Sequence, residues 1–253
     1  MKIVRFSIND KIKFGILEGD TVQAIAGSPF RQIRPDADHY KLNNIKILSP
    51  VLPSKIVALG LNYLSHAQEF KSDIPSVPLI FIKPSTSVIG PGDNIIYPSS
   101  SKQVDYEAEL AVVIGKIARR VSQEDSLNYV LGYTCLNDVT ARDQQKDDKQ
   151  WTRAKSYDTF APVGPHIETE MDAAEVQVES YLNGNLKQSG NTRDLAHGIP
   201  ELISFISHIM TLLPGDIIAT GTPGGIGPML PGDTIEIKVS GIGTLTNLVL
   251  AQQ

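Results

Sequence analysis

The amino-acid sequence predicts an α+β fold in which strands predominate. Short apolar runs alternate with glycine, proline and asparagine turns along much of the chain, a pattern typical of antiparallel strands. The tripeptide Pro-Gly-Asp occurs three times, at 91–93, 214–216 and 231–233, and each copy precedes an apolar run. Because proline followed by glycine suits the central positions of a type II turn, each copy predicts the start of a strand.

The first residues predict a small N-terminal β unit. Three alternating segments within residues 1–25 are separated by Asn9-Asp10 and by Glu18-Gly19-Asp20, which indicates a three-stranded meander. A polar stretch follows, and the two prolines within residues 46–55 indicate a connector. We therefore expect a small β domain with its connector over residues 1–54 and the main domain over residues 55–253.

Two segments of the main domain predict helices. Ser122 and Asp125 begin the segment SQEDSLNYVL with the residue types of a helix cap. The segment ELISFISHIMTLL, residues 201–213, follows Pro200 and carries apolar residues at helical spacing. Helices are therefore expected to be a minor part of a strand-rich domain.

The composition narrows the classes of function. The chain has 253 residues, of which 41% are hydrophobic and 20% charged, as in a globular protein. A net charge of −5 without a basic run argues against a nucleic-acid partner. No segment approaches the roughly 20 apolar residues that span a bilayer, and the first residues lack the apolar core of a signal peptide. The lone Cys135 is expected in the core, so the sequence predicts a cytoplasmic enzyme or binding protein.

An acidic pattern interrupts one of the predicted core strands. In VDYEAELAVVIG, residues 104–115, Asp105, Glu107 and Glu109 precede a wholly apolar second half. Side chains two apart on a strand project from the same face, so these three carboxylates are expected on one side. Asp138 ends a later apolar strand, and the intervening connection can return it to the side of Glu107 and Glu109.

The residues alone leave two interpretations of these carboxylates open. One is a solvated acidic strand end, which is common at protein surfaces. The other is a metal site, because converging carboxylates repel one another unless a cation neutralises them. Oxygen ligands favour Mg²⁺, Mn²⁺ or Ca²⁺ over zinc, and an incomplete protein shell leaves positions for water and substrate.

Several longer motifs resemble those of the fumarylacetoacetate hydrolase family, in the same order and at similar spacing. They are KIVALGLNYLSHAQE, PLIFIKPSTSVIGPGD, VDYEAELAVVIGK, GYTCLNDVTARDQQ, WTRAKSYDTFAPVGP, LLPGDIIATGTPGGIG and PGDTIEIKVSGIGTLTN. The resemblance covers about residues 55–250 and implies a mixed β-roll-like fold, a bound Mg²⁺ or Mn²⁺, and a homodimer. It also implies that Glu107, Glu109 and Asp138 hold the cation, with a structural role for Asp105.

The resemblance assigns catalytic roles to residues whose spacing alone is ambiguous. His66 and Glu69 lie three apart and would share a helix face, which by itself indicates a solvated surface. The resemblance instead implies a catalytic dyad on a mobile lid. The neighbouring segment 70–78 is polar and interrupted by prolines, which indicates a hinge or a lid loop. Lys155 could be a surface lysine with a buried stem. For this residue the resemblance implies a position facing negative charge that develops on an oxygen.

Three further residues match family positions that face the substrate. They are Arg142, Gln145 and Thr222. For Arg142, an ion pair with Asp138 or Asp143 is an equally open interpretation.

Other kinds of catalytic site have no support in the sequence. The glycine-rich GTPGGIG, residues 221–227, lacks the GxGxxG order, and Pro228 and Pro231 prevent a helix from following it. A phosphate-binding loop requires the N-terminus of such a helix. The motifs HExxH, CxxC and GxSxG are absent from the sequence, so zinc hydrolases and serine hydrolases are not indicated.

The predicted site suits enolate chemistry on a small 2-oxo or diketo acid. A divalent cation would chelate the acid and stabilise its enolate as a Lewis acid, and Lys155 would add charge stabilisation. With His66 as general base and Glu69 orienting it, a water could attack an acylpyruvate and break its C–C bond. The sequence therefore predicts metal-dependent C–C bond hydrolysis of an acylpyruvate, with neither nucleic acid nor membrane as a partner.

The same site supports alternative reactions. Loss of CO₂ from oxaloacetate gives the same enolate, and a proton shift alone gives keto–enol or double-bond isomerisation. The alternative prediction is therefore an isomerase, tautomerase or decarboxylase of aromatic catabolism. Fumarylacetoacetate itself is not the expected substrate, because fumarylacetoacetase has a much larger N-terminal domain. A non-catalytic relative would be expected to lack His66, Glu69 or Lys155, and all three are present.

Overall fold

A computed structural model of the chain describes residues 1–69 and 71–253. The strands are β1 (Lys2–Ile8), β2 (Lys11–Glu18), β3 (Thr21–Ile25), β4 (Pro35–Lys41), β5 (Lys46–Leu48), β6 (Lys55–Gly60), β7 (Leu79–Pro84), β8 (Val88–Ile89), β9 (Ile95–Tyr97), β10 (Val104–Tyr106), β11 (Ala108–Ile114), β12 (Val130–Asn137), β13 (Thr140–Ala141), β14 (Ala161–Glu168), β15 (Gln177–Leu182), β16 (Asn185–Asn191), β17 (Ile217–Ala219), β18 (Gly227–Met229), β19 (Thr234–Val239) and β20 (Gly243–Ala251). The α-helices are α1 (Leu64–Glu69), α2 (Arg142–Asp147), α3 (Thr152–Lys155) and α4 (Ile199–Ile209). Strands predominate, which confirms the predicted β-dominated α+β class.

The strands form one large sheet and two smaller sheets within the described residues. The large sheet has twelve strands in the order β4-β3-β2-β1-β14-β12-β11-β17-β6-β7, with β5 added to β1 and β8 to β14. A five-stranded sheet runs β16-β15-β19-β20-β9, and a three-stranded sheet runs β13-β10-β18. Parallel pairs such as β6 with β17 occur beside antiparallel ones, so the sheets are mixed.

Strand β11 lies at the centre of the core and is buried on both faces. Leu110, Val112 and Ile114 belong to a cluster that includes the apolar face of α4. Ala111 and Val113 belong to a second cluster on the opposite side of the large sheet. The uniform apolar character of this half of the strand follows from this double burial.

The predicted N-terminal meander is confirmed as β1, β2 and β3, which pair in sequence order. Strand β1 also pairs antiparallel with β14, with Lys2 opposite Glu168, so the N-terminal strands continue the large sheet. Two further strands, β4 and β5, lie where the sequence indicated a polar stretch and a connector. Strand β4 escaped prediction because it is an exposed edge strand with no apolar alternation. A domain boundary at residue 54 stays a prediction.

The predicted turns are confirmed at all three Pro-Gly-Asp copies. Gly92, Gly215 and Gly232 have positive φ angles of 74°, 91° and 100°, as the third position of a type II turn requires. Strands β9, β17 and β19 follow these turns.

One of the two predicted helices is confirmed and the other is wrong. Helix α4 begins at Ile199 and ends at Ile209, slightly earlier than predicted. The segment SQEDSLNYVL forms only a short 3₁₀ turn, Ser126–Tyr129, because Val130 already begins β12. The predicted cap interaction is present, since the Asp125 N–H donates to Ser122 Oγ at 3.2 Å.

Candidate active site

The acidic segment is divided between two sheets rather than forming one strand. Strand β10 pairs with β13 and β18, whereas β11 pairs with β12 and β17, and Glu107 stands at the junction. Asp105 therefore lies on one strand and Glu109 on another. The expectation of a single continuous strand is wrong, and the three carboxylates have different partners.

The register of β11 and β12 brings Asp138 to Glu107 and Glu109. These strands are antiparallel, with Ala108 opposite Asn137, and the Asp138 N–H donates to the Glu107 carbonyl at 2.9 Å. One carboxylate oxygen from each of the three residues lies within 4.8 Å of the others. Their exposed fractions are only 4%, 1% and 0% for Glu107, Glu109 and Asp138. A solvated acidic strand end is therefore the wrong interpretation of this cluster.

Two buried lysines neutralise part of the cluster. Lys155, at the end of α3, donates to Glu107 Oε2 at 2.8 Å and to Asp138 Oδ2 at 2.6 Å. Lys83, on β7, donates to Asp138 Oδ1 at 2.6 Å and to the Val139 carbonyl at 3.1 Å. Both ammonium groups are buried, so the surface position considered for Lys155 is wrong.

Arg142 connects Asp105 to the same cluster. Its Nε donates to Asp105 Oδ2 at 2.8 Å, and its two terminal nitrogens donate to Glu107 and to the side-chain oxygen of Gln145. An ion pair with Asp138 or Asp143 was the open alternative for Arg142, and both named partners are wrong. Asp105 is thus held by a guanidinium and lies outside the group of three converging carboxylates.

Burial and neighbouring charge shift the pKa values of these groups in opposite directions. Burial alone would raise the pKa of Glu107, but Lys155 and Arg142 outweigh it and the pKa is lowered. Burial raises the pKa of Glu109 well above its usual value, and Asp138 and Glu107 add to the effect. Burial opposes the charge of Lys155, yet Asp138 and Glu107 hold its pKa above the usual value.

Glu109 is the carboxylate of the cluster that lacks a cationic partner among the described residues. Its Oε2 accepts a hydrogen bond from the Gly221 N–H at 2.8 Å, whereas its buried Oε1 has no hydrogen-bond partner in the described chain. An unpartnered buried carboxylate oxygen beside two other carboxylates fits a hard divalent cation such as Mg²⁺ or Mn²⁺. The glycine-rich segment 221–227 thus donates a backbone hydrogen bond to a carboxylate of the cluster, which differs from the role of a phosphate-binding loop.

Helix α1 places His66 and Glu69 on one face, as their spacing predicted. His66 Nδ1 lies 3.3 Å from Glu69 Oε2, and the imidazole is 7% exposed. Burial lowers the pKa of His66 despite the nearby carboxylates, which favours the neutral imidazole at neutral pH. The predicted hinge 70–78 is described only from residue 71 onward, since Phe70 lies outside the described residues.

A cavity of about 200 Å³ brings most of the predicted site residues together. Its lining residues are Leu59, Gly60, Leu61, His66, Ser72, Phe81, Glu107, Arg142, Gln145, Trp151, Lys155 and Thr222. Glu69, Glu109 and Asp138 are not among these lining residues, although each lies close to one of them, namely His66, Glu107 and Lys155 respectively. The hydroxyl of Thr222 donates to the Ala108 carbonyl at 2.8 Å and accepts from Gln188 at 2.7 Å.

Sequence reasoning missed Lys83 and the apolar wall of this cavity. Lys83 is fully buried and was detectable as the only charge in the apolar run PLIFIKP. Phe81 and Trp151 pack edge to face with ring centroids 5.3 Å apart. Their contact joins β7 to the residue before α3, so no local sequence pattern could have revealed it.

Two further expectations concern Cys135 and helices that could span a membrane. Cys135 is buried, and burial raises the pKa of its thiol to about 12, which confirms a core residue rather than a nucleophile. Among the helices of residues 1–69 and 71–253, none is long and apolar enough to cross a membrane.

Comparison with known proteins gives matches along nearly the whole chain. Residues 55–250 match the fumarylacetoacetate (FAA) hydrolase C-terminal domain, and residues 1–50 match the Rv2993c-like N-terminal domain. The oxaloacetate tautomerase YisK of Bacillus subtilis (strain 168) is 45% identical over 83% of this chain and 75% of its own.

Two solved structures have the same fold over their full length. The 5-carboxymethyl-2-hydroxymuconate delta-isomerase from Mycobacterium smegmatis is 42% identical, with a TM-score of 0.95 and coverage of 100% of both chains. The maleylpyruvate hydrolase from Sphingobium sp. SYK-6, in complex with manganese(II) ion and pyruvate, is 33% identical, with a TM-score of 0.84 and coverage of 100% of both chains. With the family domain matched over most of the sequence, the chain belongs to the fumarylacetoacetate hydrolase family, whose members include isomerases, hydrolases and tautomerases.

Proposed function

We propose that this protein interconverts the keto and enol forms of a small 2-oxo acid with the help of a divalent cation. The observation that carries the proposal is the convergence of three groups at one cavity. His66, which is paired with Glu69, the ammonium of Lys155, and Glu107 of the buried carboxylate cluster all line this cavity. Glu109, whose Oε1 has no hydrogen-bond partner in the described chain, lies next to Glu107 in that cluster. A base, a cation and a candidate metal site are the components that enolisation requires.

In this proposal Glu107, Glu109 and Asp138 hold Mg²⁺ or Mn²⁺. The bound cation would supply Lewis-acid polarisation of the 2-oxo group. The choice between the two ions is open because their preferences for oxygen ligands overlap.

His66 acts as the proton carrier in the proposed reaction. The neutral imidazole takes a proton from the carbon next to the 2-oxo group, and the electron pair of that C–H bond moves to form the enolate. Return of a proton to the enolate oxygen gives the enol, and the reverse sequence gives the keto acid. Glu69 lies 3.3 Å from Nδ1 and stabilises the imidazolium that forms in between.

Lys155 and Arg142 supply positive charge for the acid. The Lys155 ammonium lines the cavity and stabilises negative charge that develops on the substrate oxygen. Arg142, oriented by Asp105 and with Gln145 beside it, binds the substrate carboxylate. Thr222 shapes the cavity through its methyl group, since its hydroxyl is already hydrogen-bonded to Ala108 and Gln188.

Hydrolysis of an acylpyruvate C–C bond is the second candidate. The full-length similarity to maleylpyruvate hydrolase in complex with pyruvate supports it, and the same His66–Glu69 pair could activate a water. Tautomerisation is preferred because more similar relatives carry proton-transfer names. These relatives are the oxaloacetate tautomerase at 45% identity and the isomerase at 42% identity.

The test is turnover measured separately for each reaction class. The protein with Mg²⁺ is mixed with the enol form of oxaloacetate, and the ultraviolet absorbance of the enol is followed with and without EDTA. Acetylpyruvate and fumarylpyruvate are incubated in parallel, and proton NMR detects pyruvate with acetate or fumarate. EDTA-sensitive loss of the enol without cleavage supports the tautomerase. Cleavage without tautomerisation would move the protein to the hydrolase, and the Lys155→Met variant controls for contaminating activity.

The homodimer implied by the family resemblance is also proposed for this chain. Light scattering on the purified protein should give about twice the chain mass of 27.5 kDa. A mass equal to the single chain would refute it.

A further inference from the structure

We infer that His197 is a positioning residue that fastens the loop 71–78 beside the cavity through a hydrogen bond to the Pro75 carbonyl. The inference rests on the proposed function, because the position of this loop affects catalysis only if an acid reacts in the cavity. It adds a residue outside the cavity that holds one side of the site in place.

The loop 71–78 borders the cavity and is held to a distant part of the chain by His197. The loop lies between α1 and β7, and its residue Ser72 lines the cavity. Within residues 73–78, all of which the structure describes, one hydrogen bond reaches another segment. In this bond the Pro75 carbonyl oxygen lies 2.9 Å from His197 Nε2. The position of the loop therefore depends on the imidazole.

The imidazole of His197 lies between two hydrogen-bond acceptors. Its Nε2 faces the Pro75 carbonyl, and its Nδ1 lies 2.8 Å from Glu201 Oε1 on α4. A carbonyl and an ionised carboxylate only accept hydrogen bonds, so both ring nitrogens donate, as in the imidazolium. Hydrogen bonds between charged groups are among the stronger ones in proteins. The contact with Glu201 thus fixes the ring and directs Nε2 toward the loop.

The backbone of His197 is anchored to the core independently of its ring. The His197 N–H donates to Asn62 Oδ1 at 2.8 Å, and Asn62 Nδ2 donates to the His197 carbonyl at 3.1 Å. The same buried amide donates to the Thr220 carbonyl at 2.8 Å, next to Gly221, whose N–H donates to Glu109. The imidazole therefore projects from a segment that is tied to the support of the carboxylate cluster. Its removal leaves this anchor in place.

Helix α1 has contacts of its own that do not involve His197. The Gly224 N–H donates to Ser65 Oγ at 3.1 Å, and the Gly225 N–H donates to Glu69 Oε2 at 3.4 Å. These amides hold α1 against the segment 221–227. Loss of the imidazole is therefore expected to release the loop while α1 keeps its position. An acid that binds must then draw the loop back, which raises KM more than it lowers kcat.

Limited proteolysis measures the position of the loop without any turnover. Trypsin cleaves after Lys71, and mass spectrometry of the fragments gives the rate of this cut in the Mg²⁺-loaded protein. We expect His197→Ala to accelerate the cut about tenfold, because loss of a hydrogen bond from a charged donor increases the open population by about this factor. His208→Ala is the matched control, since His208 lies on α4 with Nδ1 2.8 Å from the Ser204 carbonyl of the same helix. An unchanged rate in His197→Ala would overturn the inference.

A second cut distinguishes release of the loop from general destabilisation. Lys11 is an exposed residue at the start of β2, and cleavage after it should proceed at the wild-type rate in His197→Ala. Equal acceleration at Lys11 and Lys71 would overturn the inference. If His197→Ala does not fold, Glu201→Gln decides, because it keeps an oxygen for Nδ1 but removes the charge. It should accelerate the cut after Lys71 about threefold, and no acceleration would overturn the inference.

Steady-state kinetics with the enol form of oxaloacetate separates a positioning role from a purely structural one. In His197→Ala the KM should rise about threefold or more, with kcat within about twofold of the wild type, because the bound acid restores the closed loop. A large fall in kcat at an unchanged KM would contradict this role.

The two kinds of measurement separate the inference from the proposed function. If His197→Ala accelerates the cut after Lys71 but the wild type turns over no acid, the proposed reaction is wrong and the contact between His197 and the loop stands. If the enol of oxaloacetate is turned over and neither the cleavage rate nor KM changes in His197→Ala, the reaction stands and the inference fails.

Discussion

Replacement of Glu109 by glutamine tests whether the buried cluster is a metal site. The carboxylate accepts one hydrogen bond from Gly221 through Oε2, while its buried Oε1 lacks a partner in the described chain. Glutamine has nearly the same volume and keeps an oxygen for the Gly221 N–H. The substitution therefore removes the charge with little change in packing, and we expect the metal-free variant to unfold within about 1 kcal/mol of the wild type.

The expected loss of metal binding is much larger than this change in stability. One carboxylate fewer removes a full negative charge beside a divalent ion, an interaction of several kcal/mol at an effective dielectric constant of about 20. Loss of even about 3 kcal/mol of this interaction would weaken metal binding about a hundredfold. A cation at about 100 times its Kd stabilises the wild type by about 2.7 kcal/mol. In a chain of this size that corresponds to an increase in Tm of roughly 5–10 °C, and Glu109→Gln should retain only about 1 °C of it.

The assay is thermal unfolding with and without Mn²⁺, and with EDTA as the metal-free reference. Asp105→Asn is the matched control, because Asp105 is buried nearby but pairs with Arg142 outside the group of three carboxylates. Its Tm should fall while its metal-dependent increase persists. If Mn²⁺ raises the Tm of Glu109→Gln as much as that of the wild type, the assignment of Glu109 as a ligand is refuted. If Mn²⁺ no longer raises the Tm of Asp105→Asn, the distinction between the roles of the two residues is refuted.

Three other perturbations have outcomes that follow from the same contacts. Lys83→Met leaves Asp138 Oδ1 without its buried cation, so the free energy of unfolding measured in urea should fall by about 3–5 kcal/mol. A decrease of less than about 1 kcal/mol would contradict a structural role for this ammonium. His66→Asn should lower kcat for the proposed tautomerisation about 10²–10⁴-fold, and Glu69→Gln should lower it less, which steady-state kinetics can compare. Burial lowers the pKa of His166 from 6.5 to about 4, so the unfolded chain binds the proton more readily and stability falls as the pH falls between these values. Between about pH 7 and pH 5 the free energy of unfolding of the wild type should fall by about 2 kcal/mol more than that of His166→Gln. Equal decreases in the two proteins would contradict a lowered pKa of His166.

The sequence could predict the parts of the site that depend on local geometry. The spacing of His66 and Glu69 places both on one turn of a helix, and α1 has this arrangement. The position of Asp138 at the end of a strand predicted its return to Glu107, because an antiparallel neighbour brings that end back to the acidic segment. In both cases the contact is fixed by a helix period or a strand register, which the sequence pattern contains.

Contacts between distant segments could not be predicted in the same way. Lys83 contacts Asp138 although three strands of the large sheet separate β7 from β12, and no local pattern encodes that strand order. The prediction that Arg142 pairs with Asp138 or Asp143 was wrong for a related reason. Asp143 is its neighbour in sequence, but α2 directs the guanidinium toward Asp105 and Glu107, while Asp143 accepts hydrogen bonds from the segment 101–102.

The uneven distribution of partners within the cluster separates the role of the lysines from that of the proposed cation. Asp138 contacts both Lys83 and Lys155, and Glu107 contacts Lys155 and Arg142, whereas Glu109 has a backbone N–H as its partner. The protein's own cations therefore offset the repulsion at two carboxylates and leave the third for an external ion. A fold stabilised in this way does not require the metal in order to form, unlike a small zinc domain whose ligands have no other partners. The cation would then bind to a preformed site in which Glu109 Oε1 is the oxygen without a partner in the described chain.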